Sequence, residues 1–151
     1  MTYGTTYRFS QRLKMNNSSS VRYWLGVSQG NTADFTGSAA LATDTPIRVY
    51  AAFRFSAGTD SVIQAVCGTS NVAQTVASTG VSVDTSASKM FEIAWVAGTR
   101  FRFYIDGSVV ATITTNLPSA STRFGTFWCC DNLNSATAVG ATFYSSHLAL
   151  K

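Results

Sequence analysis

Acid is what this chain has least of. Seven carboxylates serve 151 residues: Asp34, Asp44, Asp60, Asp84, Asp106, Asp131 and Glu92. Glycoside hydrolysis by the usual route needs two carboxyl groups facing one bond, one as acid and one as nucleophile or base. The single glutamate, Glu92, has no acidic residue two or four positions further on, so catalysis by a carboxylate pair is not expected. Histidine is almost missing as well. His147 stands alone near the end of the chain, and a structural, hydrogen-bonded role is expected for it. No apolar run reaches membrane-spanning length, and no cluster of like charges forms a nucleic-acid arm. Neither a cofactor nor a resident metal is expected. Cysteine is scarce and odd in number, at Cys67, Cys129 and Cys130. The adjacent pair points to opposite faces of any strand, so both cannot easily hold one ion. Cys67, one of that pair and His147 could in principle meet as three ligands, but buried free thiols acting as small apolar residues are expected instead. With no apolar leader before the first strand, synthesis in a reducing cytoplasm is expected.

Charged residues make up only 12% of the sequence, about half the usual globular share. Threonine (20) and serine (19) take their place, a composition that favours strands and turns over long helices. The net charge of +4 comes from scarcity of acid rather than from a lysine-rich tail. The length fits one domain, residues 1–151, large enough to fold without a disulfide or metal staple.

The clearest signal runs from Lys89 to Asn116. Phe91, Ile93 and Trp95 alternate with Glu92, Ala94 and Val96; Phe101, Phe103 and Ile105 alternate with Arg100, Arg102 and Tyr104; Val109, Ala111 and Ile113 alternate with Val110, Thr112 and Thr114. Period-2 alternation of this kind makes strands with one buried face. Asp106-Gly107 accepts the positive φ angles of a two-residue hairpin turn, and Ala97-Gly98-Thr99 supplies the other turn. Before this stretch, strands are expected at Tyr3–Met15, Val21–Val27, Ile47–Phe55, Ser61–Cys67 and Val72–Ala77, with a short segment at Val81 and Val83 and one weak strand near Phe35 in the loop from Ser28 to Thr45. After it, Pro118 breaks the sheet, and Arg123–Cys130 and Ala138–Leu148 are the closing strands. About ten short strands with no 3.6-period segment give an all-β sandwich.

The run FEIAWVAGTRFRFYIDGSVVATITTNLPS resembles the concanavalin A-like lectin and laminin-G-like superfamily, in the form found in bacteriophage virion proteins with a strand reading FYIDG-x-x-VAT. The resemblance covers about the C-terminal two thirds of the chain. It implies a two-sheet antiparallel jelly-roll sandwich with the N- and C-terminal strands side by side. It does not fix function, because that fold hosts lectins, hydrolases and structural parts. Glucanases of the superfamily carry a Glu-x-Asp-x-x-Glu arrangement that is absent here, and the acidic cluster of the metal-dependent lectins is not recognisable.

Two surfaces could carry function. Arg8, Arg12, Arg22, Arg48, Arg54, Arg100 and Arg102, with Lys14, all fall on the non-core side of their strands, and Tyr50, Tyr104 and Trp24 share those sides. If the strands share a sheet, that sheet presents an arginine and aromatic docking face poor in acids; ordinary solvation of a half-buried strand gives the same alternation. The leading expectation is a non-enzymatic virion protein, assembled in the bacterial host cytoplasm. It would decorate the capsid, dock on capsid or other virion proteins and bridge subunits as a homo-oligomer, with a trimer the guess. The alternative is a carbohydrate-binding, lectin-like module of a tail or fibre, with Trp24, Trp128 and Tyr144 as stacking platforms for host surface glycans. No nucleic-acid or membrane partner is expected.

Overall fold

The computed structural model describes residues 6–29, 43–46, 48–69, 73–136 and 138–150. Among them are ten strands and no helix: β1 (Thr6–Met15), β2 (Arg22–Ser28), β3 (Tyr50–Ser56), β4 (Gln64–Gly68), β5 (Thr75–Ser78), β6 (Lys89–Val96), β7 (Arg100–Ile105), β8 (Ser108–Ile113), β9 (Gly125–Asp131) and β10 (Ala141–Leu150). They form two five-stranded antiparallel sheets. Sheet I has the order β10-β1-β6-β7-β8 and sheet II the order β5-β4-β3-β2-β9. The all-β sandwich expected from the pattern, in the two-sheet jelly-roll form that the resemblance implies, is the observed fold. The first and last strands do pair, with Phe9 opposite Leu148 and Lys14 opposite Thr142.

The core lies between the sheets and is built from the apolar half of each alternation. Sheet I contributes Phe9, Leu13, Phe91, Ile93, Trp95, Phe101, Phe103 and Ile113; sheet II contributes Tyr23, Leu25, Phe53, Phe55 and Ala65. Phe53 locks the layers together, its ring edge-on to Phe91 at 5.1 Å and to Phe103 at 5.2 Å. Aromatic contacts of this geometry add about 0.5–1.5 kcal/mol each to the area they bury. The hairpin turn is as read, with Asp106 at φ 50° and Gly107 at φ 80°.

Three local readings are corrected. In β8 the register shifts between Phe103 and Tyr104. Phe103 pairs with Ala111 and Tyr104 with Val109, so Val110 is the extra residue and packs on the core while Val109 is 56% exposed. A bulge reverses the side-chain phase that strict alternation assigns. The strand expected from Ile47 begins at Tyr50, after a turn in which Arg48 N–H donates to the Pro46 carbonyl at 3.1 Å. Val81 and Val83 lie in no strand, although both pack on the core. The strand expected near Phe35 lies outside the described residues.

The two long sides of the sandwich close differently. On the β5–β8 side, the Asn116 side-chain amide donates to the Ala73 carbonyl at 2.8 Å and to Thr75 Oγ1 at 2.9 Å, and Cys67 Sγ donates to the Asn116 carbonyl at 3.2 Å. These bonds lace the sheets together. On the opposite side the edge strands are β9 and β10, and there the sheets part around a cavity.

Candidate functional site

Sheet II turns its outer face into a sealed polar layer, not an open docking surface. Along β2 and β3 that face carries Arg22, Trp24, Tyr50, Ala52 and Arg54, all buried. Arg54 forks onto Asp60, with Nε to Oδ2 at 3.0 Å and Nη2 to Oδ1 at 2.8 Å, and its Nη1 donates to the Asp44 carbonyl at 2.7 Å and to Gln74 Oε1 at 2.9 Å. Arg22 reaches Asp44 at 2.7 Å through Nε and Asp131 at 3.4 Å through Nη1. Gln74 Nε2 also bonds the Tyr50 hydroxyl, whose pKa burial pushes up to about 12. Trp24, 1% exposed, packs edge-on to Tyr50 at 5.7 Å. Trp24 is therefore a core residue of a second apolar cluster and is unavailable as a stacking platform.

The single arginine face expected from the sequence is divided. Arg22, Tyr50 and Arg54 belong to sheet II, and Arg48 is exposed on the turn before β3. Arg8, Arg12, Arg100, Arg102 and Tyr104 belong to sheet I, on the other side of the molecule. Sheet II draws its acids from loops and a strand end, and sheet I has one of its own on β6. Asp44, Asp60 and Asp131 serve sheet II, and Glu92 holds Arg8 at 2.8 Å. Sequence alternation places a side chain on a face, but it cannot say which loop folds over that face.

The remaining two platform candidates do come together. Trp128 on β9 and Tyr144 on β10 are 46% and 58% exposed. With Phe143, they line an open cavity of about 400 Å³ between the two edge strands, whose walls are Phe9, Gln11, Leu25, Thr126 and Phe127. Trp128 and Phe143 are in ring contact at 4.5 Å. Phe143 was not singled out in the sequence. It pairs with Leu13 on the core-facing phase of β10, and the next residue, Tyr144, falls at the register shift between Arg12 and Leu13. That bulge brings two consecutive aromatic residues to one cavity mouth. Among the described residues, no acidic or basic side chain lines the cavity.

The three thiols are unpaired. Burial raises Cys67 and Cys129 to about 12 and Cys130 to about 11, so they are inert at neutral pH. No group of three or more metal-ligating side chains occurs among the described residues. The spacing Gly26-Val27-Ser28-Gln29-Gly30 matches the letters of a nucleophile-elbow pattern. Ser28 ends a strand with its side chain buried, and residues 30–42, which follow it, lie outside the described residues. Glu92 is held by Arg8, and its cross-strand partners are Ser10 and Tyr104, neither of them acidic.

No protein-family model and no curated protein matches the chain. Solved structures do. The galectin LEC-6 of Caenorhabditis elegans superposes with a TM-score of 0.58 at 9% identity, over 97% of this chain and 84% of that one. The β-glucanase of Bacillus licheniformis gives 0.60 at 13% identity, over 92% of this chain and 63% of that one. The carbohydrate-binding module CBM66 of Bacillus subtilis gives 0.54 at 11% identity, over 96% and 75%. At such identities the likeness establishes the concanavalin A-like jelly roll and nothing finer.

Proposed function

We propose that this chain is a non-catalytic glycan-binding module, and that its site is the aromatic cavity between β9 and β10. The observation that carries this reading is the convergence of Trp128, Phe143 and Tyr144 on one cavity mouth. One face of a pyranose ring is lined with C–H groups and packs on an aromatic face, while its hydroxyls bond at the rim. Thr126 and Tyr144 supply hydroxyls there, and a cavity of this volume lies within the ~300–1,000 Å³ range of small-molecule sites. The lack of charge among the described lining residues favours a neutral sugar. A galectin and a carbohydrate-binding module among the structural neighbours support the reading. A glucanase shares the fold as well, but hydrolysis needs a carboxylate couple facing the sugar; here Glu92 is paired with Arg8, and Asp44 and Asp131 are engaged by the buried Arg22, none of them among the described residues that line the cavity.

The setting we propose is a bacteriophage virion, supported by the FYIDG strand, with the module on a tail or fibre and its β9–β10 edge turned outward. Capsid decoration through one continuous arginine face is not supported, because those residues are divided between two sheets and Arg22, Tyr50 and Arg54 are buried.

The test uses the protein's own reporter. Trp24 and Trp95 are each 1% exposed, so Trp128 dominates any ligand-induced change in tryptophan emission. Titration with neutral oligosaccharides identified on a glycan array is expected to shift that emission. Trp128→Ala and Tyr144→Ala should each weaken binding at least about tenfold, ~1.4 kcal/mol. An array without a single neutral hit, or undiminished binding by Trp128→Ala, refutes the assignment.

A further inference from the structure

The outer face of sheet I has a charge distribution that neither the fold nor the aromatic cavity uses. Register across the sheet sets Arg8, Ala94, Arg102 and Thr112 in one row; Ser10, Glu92, Tyr104 and Val109 in the next; Val96 and Arg100 on one side of these, and Arg12 and Met90 on the other. With strands about 4.8 Å apart and same-face residues about 7 Å apart along a strand, Arg8, Arg12, Arg100 and Arg102 form a grid, extended by Lys14. One carboxylate faces it, Glu92, whose Oε1 takes both Nε and Nη2 of Arg8. Arg12, Lys14, Arg100 and Arg102 carry no ion pair among the described residues. Arg100 Nε is buried without a hydrogen-bond partner, and Arg102 is exposed. On sheet II, by contrast, both buried arginines are met by aspartates. Among the described residues, one face is thus neutralised and the other is left cationic.

We infer that the outer face of sheet I binds an acidic polysaccharide, an extended chain bearing carboxylates or sulfates. Charge complementarity comes first: the guanidinium fork matches either anion through two parallel N–H bonds. The shape agrees, because a sheet face offers rows for an extended chain, with the Ser10 hydroxyl between Arg8 and Arg12 and the Thr112 hydroxyl beside Arg102 to meet sugar hydroxyls. Other polyanions fit less well. A flat sheet has no element to enter a duplex groove. Single-stranded nucleic acid needs stacking platforms, and the one aromatic residue here, Tyr104, is covered by the Arg8 guanidinium at 5.5 Å. An anionic membrane needs exposed apolar side chains to insert, and Ala94, Val96 and Met90 are half-buried, leaving only Val109 at the margin.

The experiment is affinity electrophoresis of the full chain through gels holding polygalacturonate, dextran sulfate or neutral dextran. Retardation is expected in at least one polyanion and not in neutral dextran; the two polyanion gels separate carboxylate from sulfate recognition. It should fade as salt rises to about 0.3 M. The Arg12→Glu/Arg102→Glu double variant should bind about tenfold or more weakly at low salt, and the milder Arg102→Gln should fall between it and the parent, with unchanged circular dichroism. Trp128→Ala should be retarded like the parent, which separates this face from the aromatic cavity. Parent protein that runs freely in both polyanions, or a double variant retarded like the parent, overturns the inference. Tighter capture by an oligonucleotide or by anionic phosphatidylserine vesicles than by either polysaccharide also overturns it and reassigns the face.

Discussion

Arg54 and Arg8 are the same residue type in opposite circumstances. Arg54 and Asp60 are both about 5% exposed at their side chains and share a two-bond fork. Removing one partner strands a buried charge, so Arg54→Ala should cost about 3–5 kcal/mol. The Arg8 side chain is 44% exposed, and Arg8→Ala should cost about 0–1 kcal/mol. Denaturant titration of the two variants checks the contrast, and equal costs would mean that the sheet II layer is not as closed as its geometry. The thiols and Tyr50 give a second residue-scale expectation. Burial lifts Cys67 from its ordinary 9.0 to about 12, and Tyr50 from 10.0 to about 12. Between the unfolded and folded values the native state holds more protons than the unfolded chain, so stability falls as pH rises. That contribution is whole below about pH 9 and is lost on approach to pH 12. The melting temperature should hold from pH 7 to 8.5 and decline above it. A thiol reagent at pH 7.5 should label Cys67 and Cys129 only on unfolding. Rapid labelling of all three in the native protein would contradict their burial.

At the scale of the element, the strands are set by alternation and refined by bulges. In β8, the bulge at Val110 decides which valine packs. Val109→Thr should stay within about 0.5 kcal/mol of the parent, while Val110→Thr should be the more damaging because it puts a hydroxyl against core neighbours. In β2, Gly26 lies between β3 and β9, and a Cβ there would stand 2.2 Å from the Ala51 carbonyl oxygen and 2.6 Å from Ala52 Cα. Both are backbone atoms that cannot rotate away. Gly26→Ala should therefore cost at least the ~1–3 kcal/mol typical of overpacking. Thermal melts of these three variants test the register directly, and a harmless Gly26→Ala would place β2 differently against β3.

For the whole molecule, the difference between its two long sides matters most. Asn116 and Cys67 lace the β5–β8 side, and the β9–β10 side opens into the aromatic cavity. The faces differ as sharply, one sealed with paired charge and one left cationic. Much of the architecture was legible beforehand. Phe91-Ile93-Trp95 and Phe101-Phe103-Ile105 announce half-buried strands, and Asp106-Gly107 announces the hairpin, because both signals are local: side-chain phase repeats every two residues, and left-handed backbone needs a permissive residue. Trp128 and Tyr144 were visible as candidates, but not as a pair, and Phe143 was not visible at all. What the residues determined alone was the all-β class and the apolar face of the strands that carry no bulge. What only the tertiary structure decided was which strands share a sheet, and hence that Arg54 and Arg102 lie on opposite sides; that Asp44 reaches Arg22; that Trp24 is buried; and that two edge strands part to form a cavity. These depend on contacts between residues far apart in the chain, and strand periodicity holds no information about which distant segment will arrive.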